Sequence, residues 1–176
     1  LLFLIVALIG IKVHAQAPTE AAPVPAKASE DVISVYSDSY TSVYSDLSGS
    51  WSDSEHTELQ VASNNFVEYT ACSAGNQKAY IDLSPFPYCT NMEYLHIDYY
   101  VNDASTVLLF GVYSGGDSPF FNMSADGGGM VSGSWQSVDI PLTHYNSITL
   151  DNVAWVRIEA GAPASTVYID NVYFWK

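Results

Sequence analysis

Apolar and polar residues alternate along this chain in short runs, and the last run breaks the alternation. Residues 166–175 carry aromatic and β-branched side chains on both parities, the mark of a strand buried on two faces that closes a fold. One carboxylate, Asp170, stands in its middle. Upstream, Val32–Tyr36 reads as a first strand, and residues 56–61 and 66–70 read as a hairpin turned at Asn64 and Asn65. Further strands are predicted at 79–83, 94–101, 106–113, 120–123, 136–142 and 153–160. Residues 40–53, rich in Ser, Gly and Asp, read as a long loop with at most a short strand. Beyond the first fifteen residues no stretch holds a 3.6-residue apolar period, so the pattern predicts an all-β sandwich of about eight to ten strands.

Parity then divides each strand into a dry and a wet face. In 94–101, Leu95, Ile97, Tyr99 and Val101 form the core side, leaving Tyr94, His96, Asp98 and Tyr100 opposite. In 153–160, Ala154, Val156, Ile158 and Ala160 face inward, and Val153, Trp155, Arg157 and Glu159 outward. Placed in one sheet, these two strands would combine Tyr94, His96, Asp98, Tyr100, Trp155, Arg157 and Glu159 into one aromatic and polar surface. Such a surface suits a sugar, whose ring C–H faces pack on aromatic rings and whose hydroxyls need fixed donors and acceptors. The competing reading is a plain solvent face covered by cross-strand pairs. An alternate site lies at the Gly-rich loop end, with Trp51, Tyr113 and Phe120 as stacking rings.

The chain's 176 residues suit one domain. Residues 1–15 read as a secretory signal peptide lacking its initiator Met and basic start, too short to span a bilayer, with cleavage before Gln16. Residues 16–30, rich in Ala and Pro, read as an extended linker, and 31–176 as the domain. An exported chain with two cysteines predicts a Cys72–Cys89 disulfide, worth about 3 kcal/mol for a loop of this length. The net charge of −14, from 19 acidic against 5 basic residues, disfavours nucleic acid and anionic lipid as partners and leaves cations and neutral, hydroxyl-rich ligands. No membrane insertion is expected after signal cleavage.

Catalytic signatures are missing from the sequence: no His-Glu-x-x-His, no Gly-x-Ser-x-Gly, and no carboxylate arrangement of a retaining glucanase on one strand. A hard cation is the better prospect. Asp38 and Asp170 would be neighbours if the first and last strands pair, and loop carbonyls could complete a shell for Ca²⁺, with Asp31 and Asp46 in reserve.

Residues 31–41, then Trp51, then 95–98, then 135–142, then 167–174, resemble the non-catalytic modules attached to secreted bacterial β-glucanases, particularly laminarinase-like glycoside hydrolases. Those modules are similar to carbohydrate-binding modules of the galactose-binding-like jelly-roll type. The resemblance spans residues 31–176. It implies a jelly-roll β-sandwich of two antiparallel sheets, binding of a polysaccharide of β-glucan type, and a structural Ca²⁺ with Asp38 and Asp170 at matching positions. It also implies an extracellular bacterial setting and a separate or formerly fused glycoside hydrolase as partner. A structural or adhesive module without a glycan ligand is the alternative reading, and a glycoside hydrolase fragment a remote one.

Overall fold

A computed structural model describes residues 16–49, 53–71, 77–161 and 166–176. The expected signal peptide, Trp51 and Cys72 lie outside the described residues. Among the described residues there are eleven strands: β1 (Val32–Tyr36), β2 (Tyr44–Asp46), β3 (Ser54–Val61), β4 (Asn64–Ala71), β5 (Gln77–Ser84), β6 (Tyr94–Val101), β7 (Leu108–Tyr113), β8 (Phe121–Asn122), β9 (Gln136–Pro141), β10 (Trp155–Ala160) and β11 (Val167–Trp175). They form a six-stranded sheet, ordered β3-β4-β11-β6-β9 with β1 also on β11, and a five-stranded sheet ordered β2-β5-β10-β7-β8. Every pairing between these strands is antiparallel. The predicted jelly-roll sandwich is the observed fold.

Both sheets contribute to one core. Leu95, Ile97, Tyr99 and Val101 from β6 and Val156, Ile158 and Ala160 from β10 are buried in it, as the alternation required. Val153, assigned outward, is also core, because it precedes β10 and is not bound by that strand's parity. The β3–β4 hairpin turns two residues earlier than expected: Val61 pairs with Asn64, and Ala62 and Ser63 take positive φ of 51° and 68°. That two-residue loop has the handedness that suits strand twist.

The last strand is central, paired with β1, β4 and β6. Its alternation is reset by a bulge between Asp170 and Tyr173, where Asn171 has φ 47°. Val167 and Ile169 before the bulge, and Val172 and Phe174 after it, therefore all reach the core. Tyr168, Asp170 and Tyr173 are nonetheless also buried. A two-layer sandwich leaves the outer face of a sheet wet, and here that face is covered: Tyr40 packs edge-on against Tyr173 at 5.3 Å, Asn64 bonds Asp170, Phe66 and Tyr100 meet Tyr168, and the segment 16–30 lies over the neighbouring Trp135, Asn171 and Trp175.

This segment is not a free linker. Pro18 and Ala22 are buried, Trp135 Nε1 donates to Glu20 O at 2.9 Å, Asn171 Nδ2 donates to Pro23 O at 2.9 Å, and Lys27 Nζ sits 3.1 Å above the Trp175 ring. Prolines keep the strap extended, and the aromatic sheet face beneath gives its apolar residues something to bury against.

Cys89 is a free thiol in the core. The predicted bridge to Cys72 is therefore not made in this structure. Cys89 packs instead as a small hydrophobe, and burial pushes its pKa up to about 12.

Candidate functional site

The two strands expected to share a wet face lie in different sheets: β6 in the six-stranded, β10 in the five-stranded one. Val153 aside, parity gave the outward residues of both strands correctly, but parity does not say which sheet a strand joins. The chain changes sheet at every connection except β3–β4 and β7–β8.

On the six-stranded sheet, the four residues from β6 are occupied. Tyr94 stacks on Trp175, ring centroids 4.4 Å apart, and His96 stacks on Tyr173 at 4.5 Å. Tyr100 meets Trp135 and Tyr168 edge to face. His96 joins Asp139 through Nδ1 at 2.7 Å and Asp98 through Nε2 at 3.2 Å. Burial works against its charged form, yet the hydrogen bonds and charges of Asp98 and Asp139 prevail and the pKa is raised. Asp98, 1% exposed, also accepts from Ser137 Oγ and from Asn171 Nδ2. These side chains knit a sheet to its strap.

The five-stranded sheet's outward face is built differently. Trp155, Arg157 and Glu159 of β10 lie between β5 and β7 in three cross-strand rows: Asp82, Trp155 and Tyr113; Tyr80, Arg157 and Gly111; Lys78, Glu159 and Leu109. Trp155 stacks on Tyr113 at 3.9 Å and meets Tyr80 edge on at 5.9 Å. Arg157 pairs with Glu159, and its guanidinium lies 4.5 Å from the Phe120 ring centroid and 5.3 Å from that of Tyr80. Gly111 makes room for Phe120: a Cβ there would meet the ring at 3.1 Å. The ring, so seated, holds the guanidinium from above.

Together these residues border a cleft of about 370 Å³ lined by Asp53, Lys78, Tyr80, Tyr113, Asp117, Trp155 and Arg157. Flat aromatic surface thus meets three kinds of charged group in one groove. The structure unites Trp155, Arg157 and Glu159 with Tyr113 and Phe120, which the sequence reading had assigned to an alternate site, and separates them from Tyr94, His96, Asp98 and Tyr100. Tyr80, Lys78, Asp53 and Asp117 went unrecognised as site residues. The alternation of Lys78, Tyr80 and Asp82 with Ala79, Ile81 and Leu83 was the available signal for the first two.

Asp38 and Asp170 lie on neighbouring segments, as expected, tied to the start of one strand, β4. Asp38 accepts from Asn65 N at 2.6 Å, and Asp170 from Asn64 Nδ2 at 2.7 Å and Asn171 N at 2.6 Å. Burial, with the charges of Asp98 and Asp38 adding, pushes the Asp170 carboxyl up to about 7 despite its amide donors. In charge this setting fits a hard cation; in number it falls short. Among the described residues no group of three or more His, Cys, Asp or Glu side chains is placed to hold a metal ion, so amide and backbone oxygens would have to complete a shell. The reserve ligands are engaged elsewhere. Asp31 lies 3.8 Å from Lys176 Nζ, and Asp46 accepts from Ser48 within its own turn.

No family profile matches the chain, and no curated protein sequence does. Solved structures do. A family 30 carbohydrate-binding module aligns with TM-score 0.59 and 14% identity over 82% of this chain and 87% of its own. A Clostridium thermocellum family 11 module, solved with a β-1,3-1,4-mixed-linked tetrasaccharide, aligns with TM-score 0.52 and 14% identity over 75% and 86%. A module of family 28 described as specific for non-crystalline cellulose gives 0.51 and 15% over 74% and 87%. At such identities the likeness is one of fold, and the chain has the jelly-roll sandwich fold of carbohydrate-binding modules.

Proposed function

We propose that this protein is a secreted, non-catalytic module that binds a polysaccharide of β-glucan type along the open face of its five-stranded sheet. The cleft walled by Tyr80, Tyr113 and Trp155 beside Arg157, Lys78, Asp53 and Asp117 carries the reading: rings for sugar C–H faces, charged groups for hydroxyls. The ligands of the family 11 and family 28 modules support the choice of glycan class. A glycoside hydrolase, fused or separate, is the partner such a module would serve.

Affinity electrophoresis in gels containing soluble β-glucans tests it. The protein is expected to be retarded, Trp155→Ala to weaken retardation about tenfold or more, and Tyr94→Ala to leave it unchanged. An unretarded wild-type protein across β-glucans, mannans and galactans would sink the proposal and favour an adhesive or spacing role.

A structural Ca²⁺ between Asp38 and Asp170 belongs to the same proposal, supported by the raised pKa of a buried carboxylate that a cation would relieve. Millimolar Ca²⁺ should raise the melting temperature and chelation lower it, with Asp170→Asn insensitive to both. Equal melting temperatures of the wild type in the two buffers would remove the ion.

A further inference from the structure

The outward face of the six-stranded sheet has no part in glycan binding as proposed above, yet it holds a built aromatic groove. We infer that this groove is a binding site for proline-rich extended peptide, and that residues 18–27 are its ligand in cis.

The ligand's shape follows from its sequence. Pro18, Pro23 and Pro25 fix their own φ and hold the residue before each in an extended conformation. Residues 21–26 run without a bend, and Ala28, one residue beyond the proposed ligand, has φ −69° and ψ 139°, which is polyproline II geometry. A polyproline II chain makes no internal hydrogen bonds, and every third carbonyl points the same way. Two of the groove's three donors match that repeat, and the third meets the chain at a bend four residues further on. Trp135 Nε1 reaches Glu20 O and Asn171 Nδ2 reaches Pro23 O, three residues on, while Tyr40 OH donates to Lys27 O at 3.0 Å. All three bonds go to backbone carbonyls, so the face reads the path of the chain more than its side chains.

The floor completes the match. Tyr100 and Trp135 border the Pro18 to Glu20 stretch, and the Trp175 ring receives Lys27 at the other end. An indole N–H and an aromatic rail facing an extended proline-rich chain is a known mode of peptide recognition. Asn171 can serve because the bulge in β11 turns its amide out of the ladder, where Ser37 Oγ donates to Oδ1 and fixes its orientation. Tethered in cis, the strap acts at an effective concentration on the order of millimolar, so the same segment of a second copy competes only when the cis strap is released.

The experiment uses the chain from Gln16 onward with a protease site inserted between Ala28 and Ser29. After cleavage the strap should co-elute with the body at high concentration and leave on dilution. A fluorescent peptide of residues 16–27 should then bind saturably. Trp135→Phe, which keeps a ring and removes the N–H, should weaken it about five- to tenfold, as should a peptide with glycine at its three proline positions. No saturable binding to a body still folded by circular dichroism would overturn the inference, as would equal binding of the glycine peptide. Should cleavage unfold the body, amide exchange of the uncleaved wild type decides: a Trp135 indole N–H protected about tenfold or more supports the groove, and one exchanging at the free rate refutes it.

Discussion

Asp170 shows how one side chain ties stability to pH. Folding raises its pKa from 3.8 to about 7, so the native state holds the proton more tightly than the unfolded chain does. Its contribution to stability is therefore present in acid and lost as pH rises from about 4 to about 7, at most on the order of 4 kcal/mol. His96, also raised, acts with the same sign above its ordinary value of 6.5. In chelator-containing buffer the melting temperature should fall between pH 4 and pH 7, and Asp170→Asn should flatten that slope while leaving the His96 part above it. An unaltered slope would place the linkage elsewhere. The position of Asp170 in the last strand was legible from sequence; its neighbour Asp98 was read as a surface group, since parity marks a residue as outward without showing what else covers it.

At the level of elements, β11 and the strap explain each other. The apolar and aromatic side chains on both parities of 166–175 implied burial on two sides, and the low-complexity composition of 16–30 implied a segment without a core of its own. Those two observations are complementary, but composition reports only that a segment cannot fold alone, not that it lacks a surface to lie on. The bulge is the joint between them. Asn171→Ala would keep a Cβ at φ 47° while removing the bonds to Asp98, Ser37 and Pro23, and should cost about 2–4 kcal/mol. Asn171→Gly would relieve the backbone strain yet still lose the amide, and should recover about 1 kcal/mol of that. Denaturant titration of the three proteins checks the order; a glycine variant no better than alanine would mean that the backbone is not strained there.

For the whole molecule, sequence alternation predicted the two-sheet sandwich and the inward residues of β6 and β10, because strand parity is a local property of a pleated strand, but it did not predict the strap laid over one sheet. It did not predict which strands are neighbours, because eight of the ten connections pass from one sheet to the other. The candidate site was consequently half legible. Trp155, Arg157 and Glu159 were named from one strand, whereas their true companions, Tyr80 and Lys78 on β5 and Tyr113 on β7, come into register only through long-range pairing. Charge follows the same partition. Lys78 and Arg157, two of the five basic residues in a chain of net charge −14, both line the cleft.

The strap also sets the molecule's valency. With one broad face lined by its own chain, the proposed glycan face would be the one surface left for a polymer, and the sandwich would then hold a single polymer rather than bridge two. Any gain from avidity must come from a second domain carried on a linker, at the effective concentration that the linker's length allows.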